Sequence, residues 1–275
     1  MRFPCLYRLV ILIGSLATIQ SHAADYTLSQ TLLGQYSSVD INTVTGAGVS
    51  NWQVGGVNQL NYHWFYYRVG AVGPEAPIQN IDNTPTTVYN AAARTLDLTY
   101  DNGSYSVRTL FKLTSGNTPN LSETITVNNH SGSSLDFHFF QYSDFDLYGL
   151  GGGQSVQFST NSVTGQYYKA LQTDGTRTVT ELVNSATPAI SHFEAQFANV
   201  TLTSLLDGGP TTLSDATSAG VGNVTFAYQW DVTLADTGSF QLSKLLTVVP
   251  EPSTFSLIIL AIAGARIMRG NKNKP

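Results

Sequence analysis

Apolar and polar residues alternate with a period of two through most of this sequence. In the clearest case, every second residue is apolar from Val224 to Leu234, a turn follows at 235–238, and alternation resumes from Phe240 to Val248. Successive side chains of a β-strand point to opposite faces, so this pattern predicts strands with one buried face. Similar segments recur about every 8–12 residues, separated by turn residues. The sequence therefore predicts an all-β fold, an antiparallel β-sandwich formed as a single large domain.

One hairpin can be predicted in detail. Residues 96–100 and 105–111 alternate on either side of Asn102 and Gly103, two residue types that tolerate the positive φ of a two-residue type I′ turn. A turn of that length fixes the register of the two strands. The predicted partners are Tyr100 with Tyr105, Leu98 with Val107 and Leu96 with Thr109.

The segment from residue 52 to residue 68 is dense in aromatic side chains. Rings on both faces of a strand indicate that both faces are covered, and His63 within this segment is predicted to be a core residue. Exposed rings would instead offer flat apolar surfaces on which the sugars of a polysaccharide can stack. The candidates for such stacking are Trp52, Trp64, Tyr66 and Tyr67.

The segment from residue 135 to residue 148 carries the best candidate site. Asp136 and His138 share one face of the predicted strand with Asp144 and Asp146. The last two lie about 6.6 Å apart along an extended chain, and with carbonyls of the glycine-rich loop 149–153 they are candidate ligands of Ca²⁺. The alternative is a solvated polar face, which is favoured because the spacing Asp-x-Asp-x-Asp-Gly is absent.

A carbohydrate-active enzyme would draw its acid and base from the same four residues. The sequence nevertheless contains no Gly-x-Ser-x-Gly elbow, no phosphate-binding loop and no dinucleotide fingerprint. We therefore predict a non-enzymatic body with no catalytic residues and no cofactor other than the Ca²⁺ considered above.

The amino-terminal segment has the features of a secretory signal. Arg2 and Arg8 precede an apolar stretch at residues 9–17, and small residues follow at Ser21 and Ala23. We predict a signal helix within residues 1–23 and cleavage after Ala23. The only cysteine, Cys5, lies in this segment, so the mature body is expected to lack disulfides and thiol chemistry.

Net charge narrows the choice of partners for the body, residues 24–249. This region keeps seven of the 13 Lys and Arg and 17 of the 18 Asp and Glu, a balance of 7 − 17 = −10 with neutral histidines. A surface of that sign repels nucleic acid, which we exclude as a partner.

The carboxyl-terminal segment, residues 250–275, has three successive parts. Pro250, Glu251 and Pro252 come first, an apolar run at 255–265 follows, and the chain then turns basic. Eleven helical residues span only about 16 Å, too little for a hydrocarbon core of about 30 Å, so the predicted helix suits transient membrane insertion. The basic residues that would stop transfer are Arg266, Arg269, Lys272 and Lys274.

This three-part pattern resembles the PEP-CTERM sorting signal of bacterial surface proteins. The resemblance covers about a tenth of the chain and implies recognition by an exosortase in Gram-negative bacteria that make exopolysaccharide. It further implies export to the cell envelope, the outer surface or the extracellular matrix. We thus predict an exported, non-enzymatic surface protein. The alternatives are a lectin-like module that binds polysaccharide and a carbohydrate-active enzyme.

Overall fold

The structure is a computed structural model that describes residues 26–116, 118–185 and 187–249. The predicted signal helix and the predicted sorting segment with its short transmembrane helix lie outside these residues. Within them, no helix combines the length and the apolar content that a membrane crossing requires.

Strands make up most of the described chain, and one short α-helix joins them. The first ten strands are β1 Tyr26–Leu32, β2 Gln35–Asn42, β3 Gly48–Val54, β4 Val57–Asn58, β5 Tyr62–Val69, β6 Ala76–Pro77, β7 Thr86–Asn90, β8 Thr95–Asp101, β9 Tyr105–Thr114 and β10 Asn120–Asn129. The later elements are β11 Leu135–Asp144, β12 Gln154–Thr160, β13 Tyr167–Thr173, β14 Thr178–Val183, β15 His192–Phe197, α1 Val200–Ser204, β16 Ser218–Gly222, β17 Val224–Leu234 and β18 Ser239–Val249.

The strands form two large sheets, and the named strands within each pair antiparallel. Sheet A has the order β1-β2-β3-β5-β11-β17-β15, with β4 beside β3 and β6 beside β5. Sheet B has the order β16-β12-β13-β14-β18-β10-β9-β8-β7. The predicted antiparallel β-sandwich is confirmed.

The core lies between the inner faces of the two sheets and is rich in rings. Its largest fully buried side chains include Trp52, Trp230, Tyr100, Tyr228, Phe65, Phe111, Phe137, Phe139 and Phe145. Phe65 of β5 stacks on Phe111 of sheet B at a centroid distance of 6.1 Å and on Phe139 of sheet A at 5.6 Å. These rings therefore join the two sheets.

The predicted hairpin exists, but its predicted register is wrong by two residues. Tyr100 pairs with Val107, Leu98 with Thr109 and Leu96 with Phe111. The connection is longer than two residues because the Asn102 side-chain oxygen accepts hydrogen bonds from the amides of Ser104 and Tyr105, at 3.0 and 3.1 Å. A shift of two residues keeps every side chain on its predicted face.

The alternating stretches at residues 224–234 and 240–248 belong to different sheets. β17 is in sheet A and β18 is in sheet B, so the turn at 235–238 crosses the sandwich rather than closing a hairpin. Their apolar faces meet across the core, where Trp230 and Leu242 are both fully buried. A hairpin within one sheet and a crossing between two sheets both bury every second side chain, so the alternation of apolar residues does not distinguish them.

Candidate functional site

The outer face of sheet A is largely covered by the segment 199–217, which crosses it. Arg68 and Glu75 form a buried ion pair at 2.5 Å, and the Glu75 carboxylate accepts the amide of Thr211 at 2.9 Å. Further along, the carboxylate of Glu194 accepts the Thr201 hydroxyl at 2.5 Å. The amide oxygen of Gln229 accepts the backbone amide of Leu213 at 2.9 Å. Polar residues of the sheet thus fix this segment in place.

Beside this segment lies a chain of alternating carboxylates and imidazoles that reaches solvent. We call it the Asp231 cluster, and it consists of Asp136, His138, His192, Asp215 and Asp231. His138 and Asp231 are direct partners on the neighbouring strands β11 and β17. Their side chains meet at 2.5 Å between Nδ1 and Oδ1, and the other ring nitrogen of His138 lies 3.2 Å from Asp136 Oδ2.

Asp231 connects the two histidines. Its second oxygen lies 3.8 Å from His192 Nε2, while His192 Nδ1 lies 3.0 Å from Asp215 Oδ2. The amide of Gln229 donates to both oxygens of Asp231, at 2.8 and 3.0 Å, and so fixes the orientation of this carboxylate. The cluster therefore holds two imidazoles about one shared, oriented carboxylate.

The Asp231 cluster is accessible to a ligand. The side chain of His138 is 12% exposed and that of His192 is 33% exposed, while the Asp136 carboxylate that covers His138 Nε2 is 46% exposed. An imidazole positioned by one carboxylate can act in general acid–base chemistry once a ligand displaces Asp136 from its other nitrogen.

Sequence reasoning found part of this cluster. Asp136 and His138 were placed on one face of a strand, and the structure brings them together. The other three members were missed. Asp231 lies on β17, which is next to β11, His192 lies on β15 on the other side of β17, and Asp215 comes from the crossing segment. No spacing in the sequence links these positions.

The predicted Ca²⁺ ligands Asp144 and Asp146 lie apart from the cluster, at the far end of β11. Asp144 is buried, and one of its oxygens accepts the amide of Asn61 at 2.8 Å. Burial raises the pKa of Asp144 to about 6, although the hydrogen bond from Asn61 acts to lower it. The nearby carboxylate of Asp146 also acts to raise this pKa. Burial also raises the pKa of Asp146. Among the described residues, no group of three or more acidic, His or Cys side chains is arranged to hold a metal, so Ca²⁺ binding here stays a prediction.

We expect Asp144→Asn to stabilise the protein above pH 6 and to leave it unchanged near pH 4. The raised pKa means that, between about pH 4 and pH 6, the folded state holds a proton that the unfolded state has released, so stability falls as pH rises from about 4 to about 6 and then levels off. A shift of this size corresponds to about 3 kcal/mol in neutral solution.

Thermal unfolding of both proteins from pH 4 to pH 8 measures this difference. A difference that does not change with pH would contradict the assignment to Asp144. The same melts with added Ca²⁺ test the metal prediction, because Ca²⁺ bound there should raise the Tm of the wild type above pH 6 and not that of Asp144→Asn.

The sugar-stacking prediction is corrected for three of its four residues. Trp52 and Trp64 are fully buried and Tyr66 is 2% exposed, so none offers a ring face to a ligand. Each polar ring atom is also engaged internally: the indole nitrogens donate to Ser37 and Gln79, and the Tyr66 hydroxyl contacts that of Tyr62. Tyr67 is half-buried and packs against Phe137 and Tyr105.

The exposed ring that the sequence did not single out is Tyr148. It is 49% exposed, has a left-handed backbone with φ of 62°, and lies 3.7 Å from the guanidinium carbon of Arg177. Together with Gln59, Val57 and Val249 these residues line a cleft of about 280 Å³. This cleft is separate from the Asp231 cluster, which shares none of its lining residues.

Comparison with known proteins identifies the fold but no family. No protein-family model and no curated protein matches this sequence. Among solved structures, a bacterial glucoamylase in complex with acarbose superposes with a TM-score of 0.56 at 12% identity over 84% of this chain. A candidate aldose 1-epimerase from Escherichia coli K12 superposes with a TM-score of 0.52 at 10% identity over 81% of this chain.

The two similarities differ in extent. The matched region is 98% of the epimerase-like chain but only 32% of the glucoamylase, so this chain spans about a third of the latter's length. At such identities the likeness shows the fold alone. It does contradict the prediction of a non-enzymatic body, because this sandwich is the fold of proteins described as enzymes of carbohydrates. The absence of familiar short motifs was not sufficient ground for that prediction.

Proposed function

We propose that this chain is a carbohydrate-active enzyme that transfers protons at the anomeric centre of a sugar. The observation that carries the proposal is the pair of accessible imidazoles, His138 and His192, held on either side of Asp231. The shared fold with the glucoamylase and the epimerase-like protein supports a carbohydrate as the substrate class.

Interconversion of the anomers of an aldose needs an acid and a base at the same time. One imidazole accepts the proton of the anomeric hydroxyl while the other donates a proton to the ring oxygen, and the ring opens. The open-chain aldehyde then rotates about the bond between C1 and C2. When the two proton transfers run in reverse, the ring closes on the other face of the aldehyde. Asp231 keeps both imidazoles in position, and no proton is gained or lost over the cycle.

The surroundings of the cluster favour a neutral sugar. Three carboxylates accompany the two histidines, and the body carries a formal charge of −10. Like charges repel in so acidic a surface, so uronic acids and sugar phosphates are poor substrates.

The test is an anomerisation assay with the purified full chain. Freshly dissolved α-anomers of several neutral aldoses are followed by polarimetry, and chemical exchange between the anomers is followed by NMR. We expect faster interconversion than in buffer for at least one aldose. A rate equal to that of buffer for every aldose would overturn the proposal.

We further propose that the chain is exported and sorted by an exosortase through residues 250–275. The three-part pattern at 250–252, 255–265 and 266–274 supports this proposal, together with the signal-like segment at 1–23. The enzyme would then act at the cell envelope or in the surrounding polysaccharide, where neutral sugars are at hand.

We expect the double substitution Pro250→Ala and Glu251→Ala to abolish processing at the carboxyl end. Proline has no backbone N–H and disfavours a helical conformation of the residue before it, which suits recognition by a processing enzyme. Mass spectrometry of the protein from its host measures the mature carboxyl terminus. The substitutions Asn271→Ala and Asn273→Ala serve as a matched control, and unchanged processing of the first variant would contradict the proposal.

A further inference from the structure

A group of polar side chains is buried in the centre of the sandwich, far from the Asp231 cluster. We call it the core network, and it consists of His63, Glu123, Gln141, Ser143, Glu181 and Lys244. All six are at most 2% exposed. Glu123, Glu181 and Lys244 belong to sheet B, whereas His63, Gln141 and Ser143 belong to sheet A. No substrate reaches these residues, so the proposed reaction does not use them.

Lys244 is the centre of the core network. Its ammonium nitrogen lies 2.7 Å from Glu123 Oε2 and 3.4 Å from Glu181 Oε1. It also contacts the carboxamide oxygen of Gln141 across the gap between the sheets. The ring of Phe65 covers it at 4.7 Å from the centroid. An amine, a carboxamide and two carboxylates are thus in mutual contact in a site without solvent.

Glu181 lies close to two nitrogen atoms between which a proton could be moved, Lys244 Nζ and the side-chain amide nitrogen of Gln141. One of its oxygens faces Lys244 Nζ at 3.4 Å, and the other accepts the Gln141 side-chain amide at 2.7 Å. Burial raises the pKa of Glu181 although Lys244 opposes this effect. Such a group can take a proton at one oxygen and release one at the other.

We propose that Lys244 and Gln141 form an intramolecular amide bond that joins the two sheets covalently. Glu123 takes one proton from the Lys244 ammonium, and the resulting amine attacks the side-chain carbonyl carbon of Gln141. Glu181 moves a second proton from the attacking nitrogen to the departing amide nitrogen. The bond between this nitrogen and the Gln141 carbonyl carbon breaks, and ammonia leaves with the proton held by Glu123.

The test is the mass of the purified full chain and of its tryptic peptides. The bond lowers the mass by about 17 Da, one ammonia, and makes Lys244 resistant to trypsin. Since the nearest other cleavage sites are Lys112, Lys169 and Arg177, the digest should contain residues 113–169 joined to a peptide that starts at residue 178. Free cleavage at Lys244 and an unreduced mass would overturn the proposal.

One variant separates the assigned role of Glu181 from a general effect of burial. Glu181→Gln keeps the size of the side chain but cannot relay the proton, so the full mass and cleavage at Lys244 should return. Glu194→Gln, which alters another buried glutamate on the outer face of sheet A, should keep the bond. Loss of ammonia that persists in Glu181→Gln would overturn the relay. The wild-type measurement decides the bond itself even if that variant does not fold.

Discussion

Replacing His63 with leucine is expected to lower the free energy of unfolding by about 3–5 kcal/mol. The imidazole lies 2.8 Å from Glu123 Oε1 and 2.8 Å from the Ser143 hydroxyl, and both carboxylate and ring are fully buried. Leucine fills most of the volume but pairs with neither group. The carboxylate of Glu123 would then remain in the core without this partner, and burial penalises an ionised group heavily.

The pH dependence of the same variant gives a second readout. Burial by itself would raise the pKa of Glu123, but His63 and Lys244 outweigh it and hold that pKa well below its usual 4.5. A lowered carboxyl pKa stabilises the fold above pH 4.5, and this contribution is lost as the solution becomes more acid. We expect the loss between pH 4.5 and pH 2 to be smaller in His63→Leu, because one of the two groups that lower the pKa is gone.

Urea denaturation followed by tryptophan fluorescence measures both effects. His130→Leu is the matched control, because His130 is an exposed turn residue and its loss should change stability by less than about 0.5 kcal/mol. A loss below about 1 kcal/mol in His63→Leu would contradict this interpretation.

Replacing His138 with asparagine is expected to lower the anomerisation kcat by a factor of about 10² to 10⁴. The asparagine amide can still donate to Asp231 in place of the ring Nδ1–H, so the fold and the orientation of Asp231 are kept. What disappears is the second ring nitrogen, which contacts Asp136 at 3.2 Å and would exchange a proton with the sugar under the proposed mechanism.

Asp231→Asn tests the other half of the same arrangement. Asp231 positions the imidazoles without facing the sugar, so its loss should lower kcat and shift the pH profile while KM changes little. His130→Asn alters an exposed turn histidine just after β10 of sheet B and should have no effect on turnover. An unchanged kcat in His138→Asn would exclude this histidine from the reaction.

Much of the fold follows from the sequence because alternation fixes which side chains are buried. The inward faces of β8 and β9 were assigned correctly, and the dense rings of β5 are buried on both sides. In β17 both faces are buried from Val224 to Trp230, although the alternation predicted one. The alternation did not predict the register between strands or which strands pair. The side chain of Asn102 lengthened one turn, and the turn at 235–238 led into the other sheet.

The site was only half visible in the sequence for a related reason. His138 and Asp136 are two residues apart in one strand, so period two is enough to bring them together. Asp231 joins them only because β17 lies next to β11, with 93 residues between the paired positions 138 and 231. Lys244 gave a weak signal, since it interrupts an otherwise apolar face. A lysine at such a position predicts buried partners of opposite charge, but it does not name Glu123 and Glu181.

The position of β18 in sheet B bears on when the protein can fold. This strand lies between β14 and β10, and without it the sheet consists of two separate four-stranded halves. Ribosomes make the chain from its amino terminus at about 5–20 residues per second, so both neighbours emerge before the strand that unites them. The sandwich is completed only after residues 239–249 have been translated.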